Sequence, residues 1–165
     1  MSVLPILIWP DPRLSQVCVP VGAEDLSGLI TDMFETMYDA PGRGLAAPQV
    51  GVLKRVFVMD CGWKDGEMMP LACIDPEIIE ASEEVAVGPE GCLSIPDAPA
   101  EVARPAWVVL RWTGLDGAVQ QRRLDGFEAK CALHELDHLD GKVIFDRIST
   151  EDRARIEGAY LEARQ

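Results

Sequence analysis

The sequence predicts an α+β protein, and three observations carry that expectation. Strand-like segments outnumber helical ones, they run in consecutive groups, and a turn signal joins two of them as a hairpin. Alternating βαβ units would instead separate each strand from the next by a helix. With 165 residues, 48% apolar and 26% charged, the chain has the make-up of an ordinary globular protein. Those values exclude disorder over the whole chain. The length suits a single domain, 1–165, with a sizeable core. No internal repeat, low-complexity tract or linker divides it.

Leu26, Leu29, Ile30, Met33 and Met37 recur at helical spacing and predict a helix over 25–39, stopped by Pro41 and Gly42. The small residues of 44–51 read as a loop or turn. RVFVMD at 55–60 reads as a strand, and 71–79, 83–87 and 106–113 follow as further strands. Gly114-Leu115-Asp116-Gly117 is a hairpin signal leading into 118–124. A second helix is predicted over 125–139, with Phe127, Cys131, Leu136 and Leu139 as its buried stripe and Gly141 just past its end. A short strand or extended segment over 143–145 comes next. The stretch from Ser149 to Asp152 resembles a capping box and opens a last helix that runs to about Arg164.

Lys and Arg number 15 against 28 Asp and Glu, a net charge of -13. Such a surface repels a phosphate backbone, so no direct binding of nucleic acid is expected. The N-terminal MSVLPILIWP has no Lys or Arg ahead of its apolar residues, and two prolines break it, so it makes a poor secretory signal. No apolar run approaches the roughly 20 residues that cross a bilayer. A soluble, cytoplasmic protein without a membrane partner is expected. Cys18, Cys61, Cys73, Cys92 and Cys131 are odd in number and contain no CxxC pair, which argues against a disulfide framework and for a reducing compartment.

The chemistry concentrates in HELDH. The chain's two histidines, His134 and His138, stand at i and i+4 with Glu135 between them. Four helical residues turn the chain by about 400°, so both imidazoles leave from nearly one face, about 6 Å apart along the axis. That spacing suits two ligands of one metal, with Glu135 in reach of a water there, as in the HExxH hydrolases. A hydrolytic site of this kind usually takes a third protein ligand. Asp146, Glu151 and Cys92, the last in the glycine-containing turn EGCLS, are all candidates, and no third histidine exists. In GRGLAAPQ (42–49), two glycines, two alanines and a proline suggest close backbone approach, and Gln49 could offer an amide N–H to a developing oxyanion.

Taken together, GRGLAAPQ (42–49), EGCLS (90–94) and LHELDH (133–138) resemble the peptide deformylase family, in the same order and at about the same spacing. The resemblance runs from WPDPRL (9–14) to Ser149. It implies an α+β fold of antiparallel or mixed strands around a central helix carrying HExxH, plus a C-terminal helix. It also implies Cys92, His134 and His138 as metal ligands and Glu135 as the acid/base. Gln49 and the backbone N–H of Leu93 would serve the oxyanion. Arg43, Gly44, Glu90, Gly91, Phe127, Lys130 and Cys131 would line the substrate cleft. One divalent metal per chain follows, Fe²⁺ in the cell, with Zn²⁺, Ni²⁺ or Co²⁺ as replacements. The implied reaction removes the formyl group from the N-terminal formylmethionine of nascent peptides and releases formate. That places a monomer transiently near the ribosome. The alternatives are a related amidohydrolase acting on other N-acylated peptides or small amides, and a metal-binding paralogue without turnover.

Four features depart from the family pattern. Leu133 stands where Gln is usual before the first histidine. Arg43 and Lys130 occupy pocket positions that are commonly apolar: either both stems lie over the rim with their charges in water and methionine still fits, or, more sharply, side-chain preference is altered. Asp97-Ala98-Pro99-Ala100 lacks the Arg that many bacterial members carry. The C-terminal helix mixes Arg153, Arg155 and Arg164 with acids and makes no basic arm for ribosomal RNA.

Overall fold

The computed structural model describes residues 2–165. Helix α1 (Ser27–Asp39) leads into a run of strands: β1 (Gly44–Ala46), β2 (Val56–Asp60), β3 (Pro70–Ala81), β4 (Val85–Cys92), β5 (Ile95–Pro105), β6 (Trp107–Thr113) and β7 (Val119–Asp125). Helix α2 (Gly126–Leu139) and helix α3 (Thr150–Ala163) close the chain. One sheet has the order β1-β2-β3-β6-β7, and β4 and β5 form a separate ribbon. Every strand pair in both is antiparallel.

Strand β2 explains why RVFVMD is apolar without alternation. Phe57 and Met59 face α2, meeting a core that includes Ala129, Cys131, Ala132 and Leu139. Val56 and Val58 face the other way, against Ile30, Met33 and Met37 of α1. A strand covered on both faces needs apolar residues at every position. Each large apolar side chain buried there contributes about 1.5–3 kcal/mol. Helix α2 thus lies against the sheet, and its far side is left to the ribbon.

A third cluster joins distant parts of the chain. Trp9 and Leu14 near the N-terminus, Cys92, Ile95 and Val102 of the ribbon, Phe145, and Tyr160 of α3 pack together. Polar contacts fix it: the Trp9 N–H donates to the Ser94 carbonyl at 2.8 Å, and the Tyr160 hydroxyl donates to the Trp9 carbonyl at 2.7 Å. The Trp9 indole donates to Glu157.

Several expectations need correction. The segment 44–51 is not simply a loop: Gly44–Ala46 pairs with β2, Gly44 opposite Met59, and Ala47–Val50 winds into a 3-10 turn. That pairing is made by residues far away in sequence and leaves no local trace. Strand β5 was not expected at all. Its inward residues are Ile95, Ala98, Ala100, Val102 and Arg104, mostly small, and prolines interrupt it. Prolines are tolerated because each strand of a two-stranded ribbon has an unpaired edge. Of the segment 143–145 only Val143 is extended; Ile144 and Phe145 belong to a 3-10 turn, Ile144–Arg147, whose Asp146 accepts the Val143 N–H. Phe127 is 45% exposed and so leaves the buried stripe of α2.

The ends of α2 and α3 follow local rules. Gly141 ends α2 with φ +74°, and a Cβ there would lie 2.8 Å from the Ser15 carbonyl oxygen, so only glycine fits the stop. Ser149 caps α3 by accepting the Asp152 N–H at 3.1 Å, the first half of the expected capping box.

Candidate active site

Helix α2 presents His134 and His138 one turn apart, with ring centroids separated by 5.1 Å. The end of β4 brings Cys92 to the same place, its Sγ 3.4 Å from His138 Nε2. One donor atom from each of Cys92, His134 and His138 lies within 4.8 Å of the others. Asp146 and Glu151 are not brought there: Asp146 pairs with Arg153, and Glu151 is exposed on α3.

A chain of buried charges holds this corner from behind. Glu90 Oε1 accepts from His134 Nδ1 at 3.0 Å. Arg104 donates to both Glu90 oxygens, at 2.6 and 2.9 Å, and to Asp137 Oδ2 at 2.9 Å. Arg147 grips Asp137 with two further bonds at 2.9 and 2.7 Å. Burial opposes ionisation of Glu90, yet the bonds from His134 and Arg104 win and bring its pKa down to about 2. Glu90 is therefore a carboxylate that orients His134 through Nδ1 and leaves Nε2 for a ligand bond.

The donor set fits a divalent cation. Burial pushes His138 well below its ordinary pKa, so its imidazole is neutral, the form that binds metal. Burial also disfavours a charged His134, but Glu135, Cys92 and Glu90 around it raise its pKa well above the ordinary value. Glu135 Oε1 is buried and has no hydrogen-bond partner among the described residues.

Burial raises the Glu135 carboxyl to about 7, with His134 opposing. A group at that pKa both takes and gives protons near neutrality. Gly44 lies against it: a Cβ at residue 44 would stand 2.5 Å from Glu135 Oε2 and 2.8 Å from Cys131 Sγ. Gln49 is buried beside Cys92. Its Oε1 accepts the Ala46 N–H at 2.9 Å, and its Nε2 donates to Ser94 Oγ at 3.1 Å and to Cys92 Sγ at 3.7 Å. Leu93 follows Cys92 in the turn between β4 and β5, close to Gly42.

In front opens a cleft of about 430 Å³. Arg43, Gly44, Glu90, Gly91, Phe127, Lys130 and Cys131 all line it, together with Gln49, Leu93, His134 and Glu135. The Arg43 guanidinium lies 5.2 Å and the Lys130 ammonium 5.6 Å from the Phe127 ring centre. His138 sits deeper. Leu133 turns away and packs against the α2–sheet core. Sequence reasoning missed Arg104, Asp137, Arg147 and Ser94. Asp137, inside HELDH, and Ser94, inside EGCLS, carried a local signal; Arg104 and Arg147 carried none.

A sequence profile of the family described as polypeptide deformylase matches residues 3–154. The chain belongs to the polypeptide deformylase family. Peptide deformylase of Rhizorhabdus wittichii is 47% identical, over 100% of this chain and 97% of its own. That of Novosphingobium aromaticivorans is 46% identical, over 90% of each. Among solved structures, peptide deformylase from Ehrlichia chaffeensis in complex with actinonin superposes with a TM-score of 0.90 at 36% identity, covering 100% of both chains. The deformylase from Thermotoga maritima does so with 0.83 at 41% identity, over 89% of this chain and 98% of that one. Deformylase membership makes the chain a hydrolase with a single catalytic metal. No helix among the described residues is long and apolar enough to cross a membrane.

Proposed function

We propose that the site removes the formyl group from N-terminal formylmethionine of nascent peptides, with Cys92, His134 and His138 holding the metal and Glu135 moving the proton. The observation that carries this reading is a buried, unpartnered Glu135 oxygen in the cleft where the Cys92, His134 and His138 donor atoms converge within 4.8 Å. When bound there, a divalent ion acts as a Lewis acid on the formyl carbonyl and makes water more acidic. Glu135 takes a proton from the attacking water as its oxygen bonds to the formyl carbon. The same carboxyl gives that proton to the peptide nitrogen as the C–N bond breaks. Formate and a free amino terminus result. Gln49 swings one amide N–H from Ser94 to the oxyanion, and the Leu93 N–H is the second donor. Glu90, Arg104 and Asp137 keep His134 aimed throughout.

One thiolate and two imidazoles suit Fe²⁺, and equally accept Zn²⁺, Ni²⁺ or Co²⁺. We take Fe²⁺ as the metal in the cell, as the family resemblance implies. The substrate is a peptide emerging from the ribosome, met in the cytoplasm by a monomer whose single catalytic domain spans 1–165. No basic arm supports RNA docking, since Arg153 and Arg155 of α3 are paired with Asp146, Glu157 and Asp152. The relatives named peptide deformylase and the actinonin complex favour this reading over a paralogue without turnover.

The test is formate release from formyl-Met-Ala-Ala by protein purified without oxygen and loaded with Fe²⁺ or Ni²⁺. Turnover is expected, and Glu135→Gln lowers it by about 10²–10⁴-fold with metal content unchanged. One metal bound per chain and no formate would overturn the reading.

A further inference from the structure

The charge pattern of the cleft goes further than its family requires. The chain holds 15 cationic side chains among 28 acidic ones. Among the described residues, ten of the 15 are ion-paired: Arg13, Lys54, Arg55, Arg104, Arg111, Arg122, Arg123, Arg147, Arg153 and Arg155. Of the remaining five, Arg43, Lys64 and Lys130 all line this one cleft. An acidic protein that pairs most of its cations leaves three unpaired at a single opening.

These three are joined by contacts rather than scattered. Lys64 Nζ lies 5.7 Å from the Trp63 ring centre, and the Trp63 indole donates to the Gly42 carbonyl at 2.9 Å. Arg43 is the next residue, and it shares the Phe127 ring with Lys130. The Lys130 ammonium donates to the Pro89 carbonyl at 2.9 Å, a neutral partner that fixes the charge without cancelling it. The cleft's own carboxylates do not neutralise the row. Glu90 is held by Arg104 and His134, Glu135 is 4% exposed, and Asp97 stands on the β5 side.

We propose that this row makes the cleft selective for acidic substrates: N-formyl peptides bearing an Asp or Glu side chain within their first three residues. The proposal rests on the deformylase reading and adds a substrate class to it. Charges at the mouth of a site act on encounter and on the bound pose, and salt screens both.

The experiment compares kcat/KM of the metal-loaded enzyme for formyl-Met-Asp-Ala, formyl-Met-Ala-Ala and formyl-Met-Lys-Ala. The Asp peptide is expected to exceed the Ala peptide by about five-fold, the scale of one exposed ion pair, with the Lys peptide slowest. Raising the ionic strength compresses the series. The triple variant R43Q/K64Q/K130Q flattens it, whereas K142Q, which removes an unpaired cation outside the cleft, leaves the ratios as they were. Titration of the product peptides Met-Asp-Ala and Met-Lys-Ala reads the same preference as binding, independently of turnover. Equal kcat/KM and equal affinity across the series, or a preference that survives the triple variant, would overturn this inference alone. Failure to release formate from any of the peptides would instead strike the deformylase reading, while the product titrations still decide this one.

Discussion

Two charged regions meet at His134, and they are built in opposite ways. Behind it, Glu90, Arg104 and Asp137 are buried, and each is held by at least two charge-assisted hydrogen bonds. In front, Arg43, Lys64 and Lys130 face the opening with no carboxylate partner. The difference follows from solvation. A charge taken out of water is costly unless it is paired, so a buried array must be complete to exist. A charge left in water costs nothing to keep single, so it remains available to whatever enters. The rear fixes geometry, and the front is free to vary without endangering the fold.

The sharpest way to break this contrast is to remove the middle of the rear array. Arg104→Met leaves Glu90 and Asp137 short of their shared cation, and a loss of about 3–5 kcal/mol in unfolding free energy is expected by urea titration. A loss below a fifth of that would show that the array is dispensable. Gly44→Ala comes second. Its methyl group would meet Glu135 Oε2 at 2.5 Å, so the carboxylate must move, and kcat should fall about 100-fold. Rapid-quench formate assays alongside circular dichroism separate that loss from misfolding.

Glu90→Gln tests orientation more gently. The amide keeps the shape but weakens the hold on His134, and metal affinity should fall about 10- to 100-fold in competition with a chelator. An unchanged affinity would make Glu90 a merely structural partner of Arg104. At the front, Lys130→Met should alter unfolding free energy by no more than about 0.5 kcal/mol, since only exposed contacts to the Pro89 carbonyl and the Phe127 ring are lost. A large destabilisation there would erase the distinction between the two regions.

What could be read from the chain tracks how local each feature is. HELDH declares its geometry because helical periodicity alone sets the spacing of His134 and His138. Helix α1 and the β6–β7 hairpin declare themselves by periodicity and turn chemistry in the same way. By residue type alone Cys92 was one candidate among several; the family resemblance singled it out, and the fold of β4 against α2 brings it, rather than Asp146 or Glu151, to the histidines. The rear array was hidden by a single omission. Small residues and prolines masked β5, and without β5 there is no ribbon to bring the Arg104 side chain within reach of Glu90, 14 residues away. Once a strand is overlooked, so is every contact its inward face makes. Leu133, conspicuous against the family pattern, proved unremarkable in space: it serves the core.

The cluster under Cys92 draws on both ends of the chain, with Trp9 clasped between Ser94 and Tyr160. This gives the protein a birth order. While it is being synthesised, α2 and the ribbon can emerge and collapse, yet the floor beneath the cysteine lacks its last wall until Tyr160 has cleared the exit tunnel. A chain halted before α3 would thus leave that centre without its last wall, however fully α2 and the ribbon had collapsed.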